Sequence, residues 1–512
     1  MSQPTTTRST SRDTSRGTSR GTADRSDRPA LAENGRLGAR RIGIPALVFM
    51  IIAASAPLTV VAGGVPSNFA VTSLVGIPLS FIVLGVVLVL FAIGYAAMSR
   101  HVHNAGAFYA YIAKGLGKPA GVGASLVAVV AYNAMQIGIA GMFGFVFSSF
   151  LEGMFGIALS WWVCALIAWV AVGLMGITRV DLSAKVLGIV VALEFIVVII
   201  FDAMSLGAAP EGITADGFLP EQLFATGVGA ALAFSIAAFM GFESGAIYNE
   251  EVKDPRRTAG IATLIAICII ALFYAFSSWA MVVGEGASNV VARSQEFGPD
   301  LMFVFFAENA SGWFVTLANL MFLTSLFAAL LAFHNIVARY FFALGRERVL
   351  PGVLARTGAR SGAPVAGSLA QSALALVVIL VFAVVGAGSG DPLFPVLTLF
   401  TWLTNMGAFG LVLLMALTSL AVLGFLRRFT ADYGVWTRII APGLAALGLI
   451  VLFMLIVANF NVLIGLEGDS VLSWLLPAIV LVPGLLGTVW AWWLRSERPE
   501  TYRGIGAGGA LD

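Results

Sequence analysis

The chain has 512 residues, 59% of them hydrophobic and only 11% charged, with a formal net charge of +2. An ordinary soluble domain carries about 25% charged residues, so a water-soluble globule is excluded and part of the solvent must be lipid. Two cysteines and three histidines rule out a disulfide framework or a Cys/His metal centre.

Residues 1–42 are rich in Ser, Thr and Arg and nearly free of apolar side chains, which predicts a disordered tail. The tail has no apolar core of a secretory signal, although its arginine-rich, acid-poor composition also fits an organelle transit peptide. Apolar runs of about 20 residues, each long enough to cross a bilayer as a helix, then recur to Trp493. They predict twelve spans at 44–64, 74–98, 120–150, 157–177, 184–204, 224–249, 258–284, 313–343, 365–386, 394–424, 436–460 and 473–494. The fifth is apolar around almost its whole circumference, as a lipid-embedded helix is. Cys164 and Cys268 fall inside spans and read as small buried residues.

Two spans carry helix breakers at mid-length. The first runs Ala54-Ser55-Ala56-Pro57 and then Gly63-Gly64; the sixth runs Ala237-Ala238-Phe239-Met240-Gly241-Phe242-Glu243. Interrupted helices at matching positions of two halves point to an inverted-repeat transporter. An unwound stretch frees backbone N–H and C=O groups, which substrate, ion or cavity water must satisfy. The expected organisation is a tail (1–42), a first repeat (43–204), an extracellular loop (205–223), a second repeat (224–426), two additional helices (427–495) and a C-terminal tail (496–512).

With the N-terminus placed in the cytoplasm, 28 of the 29 Lys and Arg fall on the inner side and only Arg293 lies outside. By the positive-inside rule both termini are cytoplasmic and the chain is multi-pass in the cytoplasmic membrane. Arginine far exceeds lysine, and Ala and Gly abound, a composition typical of a GC-rich bacterial genome.

Gly241-Phe242-Glu243 followed by Asn249-Glu250-Glu251-Val252-Lys253-Asp254-Pro255-Arg256-Arg257 resembles the sixth helix and following loop of amino acid permeases. These permeases belong to the amino acid–polyamine–organocation superfamily, here of bacterial type. Gly106-Ala107-Phe108-Tyr109-Ala110-Tyr111 with Gly117 also matches, as does the stretch from Arg339 to Arg346 with Leu350-Pro351. The resemblance implies an all-α integral membrane fold of five-plus-five inverted repeats, broken at helices 1 and 6, with substrate between the breaks. It implies that backbone N–H groups of Ala54, Ser55 and Ala56 meet the substrate carboxylate. The family usually flanks that serine with glycines; this chain has alanines. Carbonyls of Ala237, Ala238 and Phe239 would take the α-amino group, and Gly241 would leave room for close approach. Where relatives place a gating aromatic this chain has Ala237, leaving Phe234 or Phe239 as the candidate gate.

Ionisable side chains deep in a span are costly enough to suggest a task. Glu243 matches family carboxylates proposed to sense or carry protons, and a structural acid tying the broken helix in place is the competing reading. Glu194 stands where many proton-coupled relatives have a lysine that replaces a sodium ion between helices one and eight. A carboxylate cannot imitate that cation; it can hold a proton, because burial favours the neutral form, or attract a real cation. Thr324 and Ser325 are candidate sodium ligands, although such hydroxyls often bond to their own backbone. His334 reads as structural.

The function expected is secondary transport of an amino acid or related amine by alternating access, with proton coupling favoured. Sodium symport, amino acid exchange and a non-transporting receptor remain open. No enzyme activity, cofactor, metal or nucleic-acid partner is expected, and the assembly is a monomer or homodimer.

Overall fold

The computed structural model describes residues 42–102, 108–178, 184–243, 245, 252–254, 257–359, 361–465, 468 and 470–506. The tail expected at 1–42, apart from Ile42, lies outside them. So do Gly106 and Ala107 of the first loop motif, residues 249–251 with Pro255 and Arg256 of the second, and Arg179 and Arg360.

The described chain is helical, with one isolated bridge between Ile42 and Val252. Twelve membrane segments are labelled in order. They are α1 (Ile44–Thr72), α2 (Ile77–Ser99), α3 (Lys118–Phe155), α4 (Trp161–Thr178), α5 (Ala184–Ala208) and α6 (Val228–Ala237). The second set is α7 (Thr258–Glu285), α8 (Gly312–Arg346), α9 (Val365–Ser389), α10 (Pro395–Leu426), α11 (Trp436–Ala458) and α12 (Leu472–Glu497). Eleven helices among the described residues are long and apolar enough to cross a membrane. α6 is the exception: expected over 224–249, it winds for only ten residues and then turns. Breakage, not polarity, removes it from the count.

Helix α1 outruns its expected end at 64 by a full two turns. It is α-helical over Ile44–Ser55, breaks at Ala56-Pro57, resumes as a wide π-turn over Thr59–Gly64 and finishes as α-helix over Val65–Thr72. The wide turn accommodates Gly63-Gly64 inside the helix, so the glycines do not end it. Helix α5 likewise runs to Ala208, past the boundary set at 204.

The two halves repeat their irregularities. α1 and α6 are broken; five positions on from one another, α3 and α8 are the longest spans at 38 and 35 residues. A short helix, Phe108–Gly115, links α2 to α3, and two, Val290–Phe297 and Leu301–Asn309, link α7 to α8. This is the five-plus-five arrangement, with α11 and α12 added.

α3 forms the axis: 89% of its apolar window is buried, against 17% for α9 and 22% for α12 at the lipid-facing rim. It packs on α4, α8, α10 and α12, and small residues let those backbones close in. A Cβ at Gly144 would lie 2.4 Å from the Trp161 carbonyl oxygen, and one at Gly138 would lie 3.2 Å from that of Phe400. Of the cysteines, Cys164 is buried, but Cys268 is exposed on the outer surface of α7, contrary to the sequence expectation. The helix offers several apolar neighbours there, and its outward face meets lipid instead of another helix.

Candidate functional site

Both breaks open into one narrow cavity of about 60 Å³. From α1 come Ala54, Ser55, Ala56 and Thr59; from α6 come Phe234, Ala237 and Ala238.

At the first break Ala56 adopts a left-handed conformation (φ 47°) and its N–H bonds back to the carbonyls of Ile52 and Ala53 at 3.1 Å. Pro57 has no N–H to offer. The next two donors, Leu58 and Thr59, begin the second half of α1, where a helix exposes unsatisfied N–H groups and partial positive charge. Leu58 N–H points to Glu194 Oε2 at 3.4 Å and Thr59 N–H to Ser325 Oγ at 3.3 Å. Ser325 Oγ in turn donates to Glu194 Oε2 at 2.8 Å, and Thr59 Oγ1 donates to Ser325 Oγ at 3.1 Å. Residues from α1, α5 and α8 thus meet at one carboxylate, itself 1% exposed.

The sequence-derived set divides at this point. Ala54, Ser55 and Ala56 line the cavity, yet the Ala56 N–H is already committed, and the donors two and three residues further on are held by Glu194 and Ser325. The Ser55 hydroxyl donates to the Ile52 carbonyl at 2.8 Å and sits 3.1 Å from the Tyr274 hydroxyl on α7. Ser325 joins Glu194, but Thr324 bonds back to the Met321 carbonyl at 2.8 Å and stays out of the cluster.

At the second break α6 stops at Ala237. The Ala237 and Phe239 carbonyls accept from Met240 and Phe242 at 3.0 and 3.1 Å, and each carbonyl keeps a second lone pair. Gly241 takes a φ of 107°, and a Cβ built there would lie 2.8 Å from Ala54 Cβ and 3.2 Å from the Ala54 carbonyl carbon. Only glycine lets the two breaks touch so closely. Glu243, fully buried, accepts from the Gly241 N–H at 3.1 Å and from the Tyr132 hydroxyl of α3. Of the two gate candidates, Phe234 lines the cavity. Phe239 does not line it and packs 6.2 Å from the ring of Phe81, itself on the wall, and 6.4 Å from the Tyr274 ring.

Much of the wall comes from residues that the sequence singled out for nothing. Met135 and Ile139 of α3, Phe333 of α8, and Phe400 and Thr404 of α10 surround the side facing away from the breaks. Asn68, also on the wall, holds the α1 tail to α6 through the Ala231 carbonyl and the Ser235 hydroxyl, both at 3.1 Å. A period-based reading sees these residues only as interior faces. Among the described residues no acid or base lines the cavity, and no cluster of three His, Cys, Asp or Glu occurs.

His334 lies on the far flank of α8 with its Nε2 2.7 Å from Ser368 Oγ. At one end of the bundle Ile42, just ahead of α1, pairs with the loop after α6 through the Lys253 N–H at 2.9 Å. Asp254 of that loop accepts from the Thr258 N–H at 2.9 Å and starts α7.

The amino acid permease family profile matches residues 42–485. No curated protein matches the chain.

Proposed function

The chain belongs to the amino acid permease family, and from that premise we propose that it carries neutral amino acids with apolar side chains, driven by a proton held at Glu194. One observation carries this reading. The positive start of the second half of α1, at Thr59, and the negative end of α6, at Ala237, open into the same cavity. The dipoles of opposed half-helix ends suit a zwitterion, drawing the carboxylate toward the first and the ammonium toward the second, while the Leu58 and Thr59 N–H groups stay with Glu194 and Ser325. The rest of the wall then contacts the side chain. Met135, Ile139, Phe333 and Phe400 favour an apolar group, because a cationic one would be buried without a counter-charge. Phe234 serves as the gate over it.

Glu194 carries the coupling in this proposal because it touches the broken helix and α8 at once, where a change of protonation changes how the two hold together. A sodium ion is the second reading, favoured by the Thr59 and Ser325 hydroxyls beside the carboxylate. The protein works in the cytoplasmic membrane with both termini inside and Arg293 outside.

The test is a thermal-shift and binding panel on purified protein, comparing leucine, methionine and phenylalanine with lysine and glutamate. Apolar amino acids should stabilise the protein and compete with one another. Stabilisation by lysine alone would contradict the side-chain assignment, and no response to any amino acid would contradict the site.

A further inference from the structure

A third buried acid lies two turns beyond Glu194 on the same helix. Asp202 is 2% exposed, and its Oδ2 accepts a hydrogen bond from Ser277 Oγ of α7 at 2.9 Å. Its other oxygen, Oδ1, has no partner among the described residues. Ser205, one turn further on and 0% exposed, also has an unpartnered hydroxyl. The two side chains share a helix face, with Cβ atoms about 5–6 Å apart at this spacing. Both face α7: Ser205 Oγ lies 2.7 Å from where a Cβ on Gly284 would stand, so only a glycine there makes room for it.

Buried polar atoms left without partners are rare, and each calls for a reason such as a bound water or ion. Nothing nearby neutralises the acid. α1 has no ionisable side chain from Ile44 to Thr72. The Glu285 carboxylate of α7 is paired with Arg293, which also bonds Glu308 of the following helix at 3.1 Å. On α8, His334 is turned to Ser368, and Arg339 and Arg346 lie toward its opposite end. On α5 itself only Glu194 shares the membrane interior, about 12 Å away along the axis at 1.5 Å per residue. The end of α5 at Ala208 is about 9 Å in the other direction.

We propose that Asp202, Ser205 and Ser277 form a second cation site, where the coupling proton resides with a water molecule on its way between the Arg293 end of the bundle and Glu194. The carboxylate accepts the proton and releases it again to the water, so charge and atoms balance without any other reactant. Asp202 is a positioning and relay group, not a contact of the amino acid. The inference rests on Glu194 being the coupling residue, and the experiment keeps the two claims separate.

Uptake into proteoliposomes under an imposed proton gradient is compared for wild type, Asp202→Asn, Ser277→Ala and Glu194→Gln, alongside amino acid exchange without any gradient. Asp202→Asn should slow gradient-driven uptake on the order of tenfold or more and shift its pH dependence toward acid, because a higher proton concentration is needed to load Glu194. Ser277→Ala removes one hydrogen bond to the carboxyl that holds the proton and should do the same more weakly, on the order of tenfold at most. Exchange should be unchanged in both, which also reports that they fold. If Asp202→Asn fails to fold, Ser277→Ala and Ser205→Ala decide the matter. Wild-type rates and pH profile in these variants would overturn the site while leaving Glu194 intact. Loss of proton-driven uptake in Asp202→Asn but not in Glu194→Gln would instead overturn the Glu194 assignment. If Asp202→Asn abolished a sodium requirement at fixed pH, the occupant would be a metal cation and the proton relay would be refuted.

Discussion

The two buried carboxylates at the breaks, Glu194 and Glu243, differ in what they hold together. The Glu243 carboxylate folds back on its own segment, accepting from the Gly241 N–H two residues earlier, and reaches out to Tyr132, while the Glu243 carbonyl accepts from the Tyr95 hydroxyl at 3.3 Å. Glu194 bonds nothing nearby in sequence; it joins Leu58 and Ser325, more than a hundred residues away on either side. A group that caps its own turn travels with that turn, whereas a group at a junction of three helices registers their relative movement. The difference teaches that an acid's place in a membrane helix says it has a task, and its partners say which one. By that measure we propose Glu194 as the coupling acid and Glu243 as a support.

The comparison can be broken most severely at Gly241. Gly241→Val adds strain at a φ that side chains rarely adopt, of roughly 1–3 kcal/mol, and drives a side chain into Ala54. Substrate binding should be lost altogether, as read by calorimetry on protein that still reaches the membrane. Ser55→Val should abolish it too; wild-type affinity in either variant would remove the site from the breaks. Next in size, Tyr132→Phe leaves one Glu243 oxygen short of its phenol and should cost about 1.5–3 kcal/mol of stability, visible as a lower Tm. Coupling should be untouched; a variant that stayed stable but uncoupled would make Glu243 the coupling acid.

Ser325→Ala sharpens the other side of the comparison. It removes a 2.8 Å hydrogen bond to the Glu194 carboxyl, which in this proposal holds the proton, and should weaken gradient-driven uptake while costing only about 0.5–1.5 kcal/mol of stability. The smallest effect belongs to its neighbour: Thr324→Ala, whose hydroxyl only serves the Met321 carbonyl, should change uptake and stability by less than about 0.5 kcal/mol. A strong, sodium-dependent defect in Thr324→Ala would restore it to a sodium site.

The parts of this architecture legible in the sequence were those set by local composition. Long apolar runs mark α1 to α12, and Pro57 and Gly241 mark the breaks, because a missing N–H and a positive φ act on their own segment. Glu194 stood out because charge in lipid is costly wherever it occurs. The continuation of α1 to Thr72 was hidden, since paired glycines read as an end unless a wide turn absorbs them. The wall residues Met135, Phe400 and Thr404 were hidden for a different reason: only packing decides which side of an all-apolar helix faces a cavity. Asp202 escaped notice near an expected helix end, where an acid seems cheap, until the helix proved to run on to Ala208.

The central claim is that Glu194 carries the proton that drives transport. Glu194→Gln mimics a permanently protonated side chain, so the decisive measurement is amino acid accumulation in proteoliposomes given separately imposed proton and sodium gradients. Wild type should concentrate substrate with the proton gradient and show no need of sodium, and Glu194→Gln should only equilibrate it while still exchanging one amino acid for another. Accumulation by Glu194→Gln on a proton gradient alone would contradict the account and pass the role to another buried acid.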